Sequence, residues 1–140
     1  MKSSSWFLGI DLGTGSCKTV AVDEDGTVLG FGVGAYSGAE AQGRWQEQDP
    51  QDLVKAAITS VRQAVERAGA SPEGCSGMSI GGALHSVMAV DGHGDPLTGV
   101  ITWADGRAVE QARAVAGTSA GKNLYRETGC PAHGMYPLYK

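Results

Sequence analysis

The strongest constraint on this chain lies in residues 6–30, WFLGIDLGTGSCKTVAVDEDGTVLG. Phe7, Leu8 and Ile10 form a short apolar run of the kind expected of a central strand covered on both faces. Thr19, Val20, Ala21 and Val22 form a second such run. Asp23, Glu24, Asp25 and Gly26 then supply turn chemistry that leads into Thr27, Val28, Leu29 and Phe31. The pattern predicts three antiparallel strands before about residue 36, so the rest of the chain must be built around a sheet.

Between the first two runs lie Asp11, Gly13, Thr14, Gly15, Ser16 and Lys18, which bring together a carboxylate, two hydroxyls, an ammonium and two glycines. Such a set suits a phosphate and a magnesium ion, with Asp11 acting on the metal through water because magnesium gives up its hydration shell reluctantly. Thr14, Ser16 and Lys18 would donate to phosphate oxygens, and the amides of Gly13 and Gly15 would add a neutral cradle. A turn aspartate and a solvated strand-edge lysine account for the same residues. The motif is neither the Walker pattern nor GxGxxG opening a long helix, because a strand follows it.

Composition narrows the class. A length of 140 residues predicts one domain, and 41% hydrophobic with 19% charged residues fits a globular protein rather than a disordered or membrane one. The net charge of −4, with its basic residues scattered, argues against a nucleic-acid partner, and none is assigned. The start of the chain carries neither a signal peptide nor a membrane span, so a cytoplasmic location is expected. Cys17, Cys75 and Cys130 show no paired or zinc-type spacing and read as reduced thiols, partly buried. Glycine, at 22 residues, is about twice as frequent as usual, which implies tight turns and close backbone approaches.

Residues 36–48 are rich in Gly, Ala, Gln and Glu and are predicted to be a connecting loop with Trp45 as its large apolar residue. Asp49 as cap, Pro50 at the first position and Asp52 in the first turn start a helix. Its apolar face is Leu53, Ala57, Val61 and Val65, flanked by Val54 and Ile58, and it ends near Ala68 and Gly69. Strands are predicted at 75–80, 87–90 and 100–103, with a turn at 91–96. A helix carrying Ala108, Val109, Ala112, Val115 and Ala116 follows, then a short one at 120–126. The tail TGCPAHGMYPLYK, with Met135, Tyr136, Leu138 and Tyr139, reads as a segment that packs on something further along or as a fraying end.

Four later residues are candidates for a polyol site. His85, at the exit of a glycine-rich strand, could bond hydroxyls, or be a buried histidine satisfied by a carbonyl. Asp105 and Arg107 could bind sugar hydroxyls together, or be a helix-start carboxylate and a surface arginine. Trp103 walls a sugar site or belongs to the core, and the same alternatives hold for Trp45. His93 falls among turn residues and is expected to face solvent, and His133 has no partner that the sequence names.

In this order the segments resemble the N-terminal domain of the FGGY carbohydrate kinases. GIDLGTGSCKTVAVDEDG resembles that family's first phosphate motif, RWQEQDP its WxEQDP segment, and HSVMAVDGHGDPLTGVITWADGRA its sugar-pocket region. Ala83, Leu84, His85 and Ser86, with Trp103, Ala104 and Asp105, look most like the gluconokinases within it. Xylulokinases typically show Gln-Met-His-Gly and Trp-Asn-Asp-x-Arg instead.

The resemblance implies an α/β, ribonuclease-H-like (actin-type ATPase) fold, with a mixed five-stranded sheet and flanking helices in one of two lobes. It implies ATP and Mg2+ as cofactors, with Asp11 serving the metal and Gly13, Thr14, Gly15, Ser16 and Lys18 the phosphates. His85, Trp103, Asp105 and Arg107 would serve a sugar or sugar acid. The expected chemistry is in-line phosphoryl transfer to a hydroxyl.

The family's general-base aspartate lies beyond this length, so no catalytic residue is assigned here. The chain is expected to be the N-terminal part of the first lobe, with the second lobe absent. It should be inactive alone and need the C-terminal part of the same enzyme; a homodimer would be compatible with this. The rivals are a xylulokinase or other FGGY sugar kinase, and a non-catalytic actin-like nucleotide-binding module. The WxEQDP and WADGR segments favour the kinase.

Overall fold

The computed structural model describes residues 5–38 and 40–140. These residues gather into two compact units, 5–38 with 50–83 and 40–49 with 84–140.

The first unit begins with the predicted meander, β1 (Trp6–Leu12), β2 (Ser16–Asp23) and β3 (Val28–Ala35). After helix α1 (Pro50–Ala68) and a 3₁₀ turn (Pro72–Gly74), strand β6 (Cys75–Gly82) pairs parallel with β1. The order β3-β2-β1-β6 makes a mixed sheet of four strands, not the five that the resemblance implied. Asp11 faces Lys18 across β1 and β2, and on its other side pairs with Gly81.

Helix α1 covers the β2–β3 half of one face. The residues it buries most deeply are Ala56, Ser60 and Ala64. The apolar set predicted from periodicity lies to either side: Leu53, Ala57, Val61 and Val65 are half-buried, while Val54 and Ile58 are exposed. The cause is the strand beneath. Gly30, Gly32 and Gly34 line one face of β3, and β-carbons added there would fall 2.4, 1.9 and 2.0 Å from the carbonyl oxygens of Ala64, Ser60 and Ala56. Only small helix residues fit so close an approach. Ser60 also bonds the Thr19 hydroxyl at 2.8 Å, and both side chains are buried.

The second unit holds β4 (Glu40–Gln42), β5 (Trp45–Gln48) and β7 (Val100–Ile101) in an antiparallel sheet of order β4-β5-β7, followed by α2 (Val109–Ala116) and α3 (Ser119–Thr128). The loop predicted at 36–48 is therefore corrected to a hairpin. Its pairing depends on distant backbone: Thr102 donates to the Gln46 carbonyl at 2.9 Å and Gly106 to the Arg44 carbonyl at 2.9 Å.

The strand predicted at 87–90 reduces to isolated bridges, Val87 with Ile101 and Val90 with Pro96. Proline offers no amide to a ladder, and the Thr98 hydroxyl takes the Ala89 amide at 3.0 Å, so the pairing cannot extend. The strand predicted at 100–103 stops at Ile101, because the Thr102 carbonyl opens the turn that Asp105 closes. Cys17 is buried, Cys75 half-buried and Cys130 exposed, and all three are free thiols.

Candidate functional site

Each unit holds one group of the predicted residues. In the first, the β1–β2 turn is closed by the Gly13 amide donating to the Ser16 carbonyl at 3.1 Å, and the Tyr36 hydroxyl donates to the Gly13 carbonyl. Gly13 is thus engaged on both sides, and a β-carbon there would lie 3.1 Å from the Ser16 oxygen. It shapes the turn and has no amide to spare for a ligand.

Thr14 and Gly15 form the exposed tip, and among the described residues the Gly15 amide takes no backbone acceptor. Asp11 and Lys18, both exposed, line a cavity of about 490 Å3 on the sheet face opposite α1, together with Gly9, Val20, Phe31 and Ser79. Tyr36, which sequence reasoning passed over, is buried against Ile10, Cys17 and Ala56. Burial, with Cys17 and Asp11 nearby, pushes its phenol above the usual value.

Among the described residues no three acidic, histidine or cysteine side chains stand close enough to cage a metal. A lone exposed carboxylate beside an ammonium and hydroxyls does fit magnesium held mainly by water and phosphate oxygens.

In the second unit, Asp105 is 2% exposed. Its oxygens accept the Gln46 amide at 2.8 Å and the Arg107 amide and Nε at 3.0 Å. Arg107 continues to Glu47, Nη2 to Oε1 at 2.6 Å, and its guanidinium lies 4.0 Å from the centre of the Trp45 ring. Burial alone would raise the Asp105 carboxyl, but hydrogen bonds from Arg107 and the Gln46 amide, with the arginine charge, hold it below the usual carboxylate range. Asp105 is therefore a buried acceptor that holds Arg107. Trp45 is neither core nor free, since it stacks on Arg107 while 53% exposed.

Asp105 and Arg107 line a cavity of about 200 Å3 with Gln111, Tyr139 and Lys140. Trp103, 43% exposed, is not in that lining. His85 is half-buried, its ring 4.8 Å from that of Tyr136 and nearly perpendicular to it, and its carbonyl accepts from Lys140 Nζ. His93 is exposed, as expected.

The residues of this cluster that the sequence reading missed were Glu47, Tyr136 and Lys140. Glu47 sits inside the RWQEQDP segment, and Tyr136 was noted only as part of an apolar tail. No local pattern marks Lys140.

The model of the FGGY family of carbohydrate kinases, N-terminal domain, matches residues 6–140. The chain belongs to the FGGY family. A gluconokinase of Bacillus licheniformis is 36% identical over 137 residues, 98% of this FGGY chain and 26% of the relative. A xylulose kinase of Staphylococcus epidermidis is 32% identical over 108 residues, 77% of the chain and 22% of the relative. The chain thus spans about a quarter of the length of the relatives it matches. Among solved structures, a gluconate kinase from Lactobacillus acidophilus superposes with a TM-score of 0.87 at 24% identity, covering 97% of this chain and 27% of that one. The expected α/β, actin-type fold class is borne out.

Proposed function

We propose that this chain supplies the first phosphate loop and part of the sugar site of an ATP-dependent kinase that phosphorylates a hydroxyl of a sugar acid, gluconate in particular. The observation that carries this reading is the 36% identity to gluconokinase along 98% of the chain, against 32% along 77% for xylulose kinase. ATP would supply the transferred phosphoryl group and Mg2+ its charge neutralisation.

Asp11 would hold the metal through water, and the Gly15 amide, Thr14, Ser16 and Lys18 the phosphates, with Gly13 setting the turn. On the sugar side His85, Trp103 and Arg107 would bond or wall the substrate. Asp105 would act through Arg107, because its own oxygens are taken. No residue of this chain is assigned as the base. The remaining contacts would come from the C-terminal part of the same cytoplasmic enzyme, working as monomer or homodimer. Among the described residues no helix is long and apolar enough to cross a membrane.

An NMR titration of the chain tests this. Gluconate should move resonances of His85 and Arg107 more than xylulose does, and Mg-ATP should move Gly15 and Lys18 in the wild type but not in Asp11→Ala. A larger response to xylulose transfers the reading to that sugar. No response of these residues to any sugar or to nucleotide, in the chain and in the longer enzyme that contains it, overturns it.

A further inference from the structure

His85 is the one non-glycine among the described residues with a left-handed backbone, at φ 68°. A residue with a β-carbon keeps that conformation only where its surroundings enforce it. Two groups from one short turn meet His85. The 3₁₀ turn Pro137–Tyr139 is closed by Tyr139 donating to the Tyr136 carbonyl at 3.2 Å and Lys140 to the Pro137 carbonyl at 3.1 Å. From this turn the Tyr136 ring meets the histidine ring edge-on.

At the other end of the turn, the Lys140 ammonium donates to the His85 carbonyl at 3.1 Å and to the Thr102 carbonyl. Among the described residues Lys140 pairs with no carboxylate within ion-pair distance, so its charge is spent on main-chain oxygens. His85 O lies outside any strand ladder and has no other partner among the described residues. An ammonium bonded to two carbonyls from separate loops fixes backbone more firmly than a neutral donor would. Burial pushes the lysine pKa down, nearby Asp105 pulls it back up and Arg107 lowers it again.

We propose that Lys140 is a positioning residue for His85: by joining the His85 and Thr102 carbonyls it holds the histidine in its left-handed conformation and so sets the ring for substrate. The last clause rests on the sugar-site reading above, whereas the clamp itself does not.

The isotopically labelled chain tests the clamp directly. Scalar couplings from the Lys140 amine nitrogen to the carbonyl carbons of His85 and Thr102 are expected, and a freely rotating ammonium without them overturns the proposal. In Lys140→Met the His85 Cα and Cβ shifts should leave the left-handed range while α3 amides stay in place; an unchanged His85 backbone also overturns it. Should that variant fail to fold, the wild-type couplings decide.

Gluconate affinity should fall about tenfold in Lys140→Met, the scale of a lost charge-assisted bond, and recover in part in Lys140→Arg. Equal affinities of wild type and Lys140→Met remove the role in binding. Couplings and backbone shifts as expected, with no gluconate binding by the wild type, leave the clamp standing and overturn the sugar-site reading instead.

Discussion

Gly32 and Ser60 touch backbone to backbone: a β-carbon on Gly32 would lie 1.9 Å from the Ser60 carbonyl oxygen. Helix α1 cannot move away from that strand without breaking the Thr19–Ser60 hydrogen bond and uncovering Ala56 and Ala64.

Gly32→Ala is therefore expected to destabilise the first unit by about 3 kcal/mol or more, because backbone must shift to make room. Gly81→Ala, where nothing lies within 4 Å of the added carbon, is the control and should change stability little. Urea unfolding followed by circular dichroism measures both; equal midpoints would refute the close-packing account.

Asp105→Asn removes the charge that holds Arg107 and should cost about 2 kcal/mol at neutral pH, the scale of hydrogen bonds to a charged group. The folded carboxyl is held below its usual value, so the wild type draws stability from it above the unfolded pKa. That share is lost as the pH falls from about 4 through the lower folded value. The second unit of Asp105→Asn should lack this acid-dependent share, as thermal melts between neutral and acid pH would reveal.

Tyr36→Phe frees the Gly13 carbonyl and should cost about 1 kcal/mol while loosening the β1–β2 turn. Faster amide exchange at Thr14 and Gly15, with α1 unaffected, is the expected sign. Because the phenol is raised in the folded state, the wild type loses this contribution as the pH climbs above about 10 and through the folded value. Tyr36→Phe should show no such alkaline loss.

Met78 and Ile80, on the face of β6 that continues Leu8 and Ile10, are 65% and 62% exposed because α1 covers only the β2–β3 half. Adjacent apolar side chains on an edge strand promote association. The chain should bind a hydrophobic dye and self-associate with rising concentration, and Ile80→Lys should reduce both. Light scattering that is identical for the two proteins would exclude this surface.

Much of this molecule is written locally. The apolar run of Phe7, Leu8 and Ile10, with the runs at Thr19 and Val28, determines three strands, and Pro50 with the periodic valines determines α1, since each depends on dihedral preference and on spacing within a few residues. The motifs that mark the family are likewise contiguous.

Tertiary structure alone decided which residues meet. Periodicity could not say that small residues rather than Val54 and Ile58 would face the sheet, because that depends on the glycines of a strand more than twenty positions earlier. It could not pair Glu47 with Arg107, hang Gly13 from Tyr36 or set Lys140 under His85. Those contacts join segments far apart in sequence, and their energy appears only once the chain has closed the intervening loops. The sequence listed the chemical groups of the phosphate turn and the sugar-side cluster; the fold decided which of them are spent on holding the others in place.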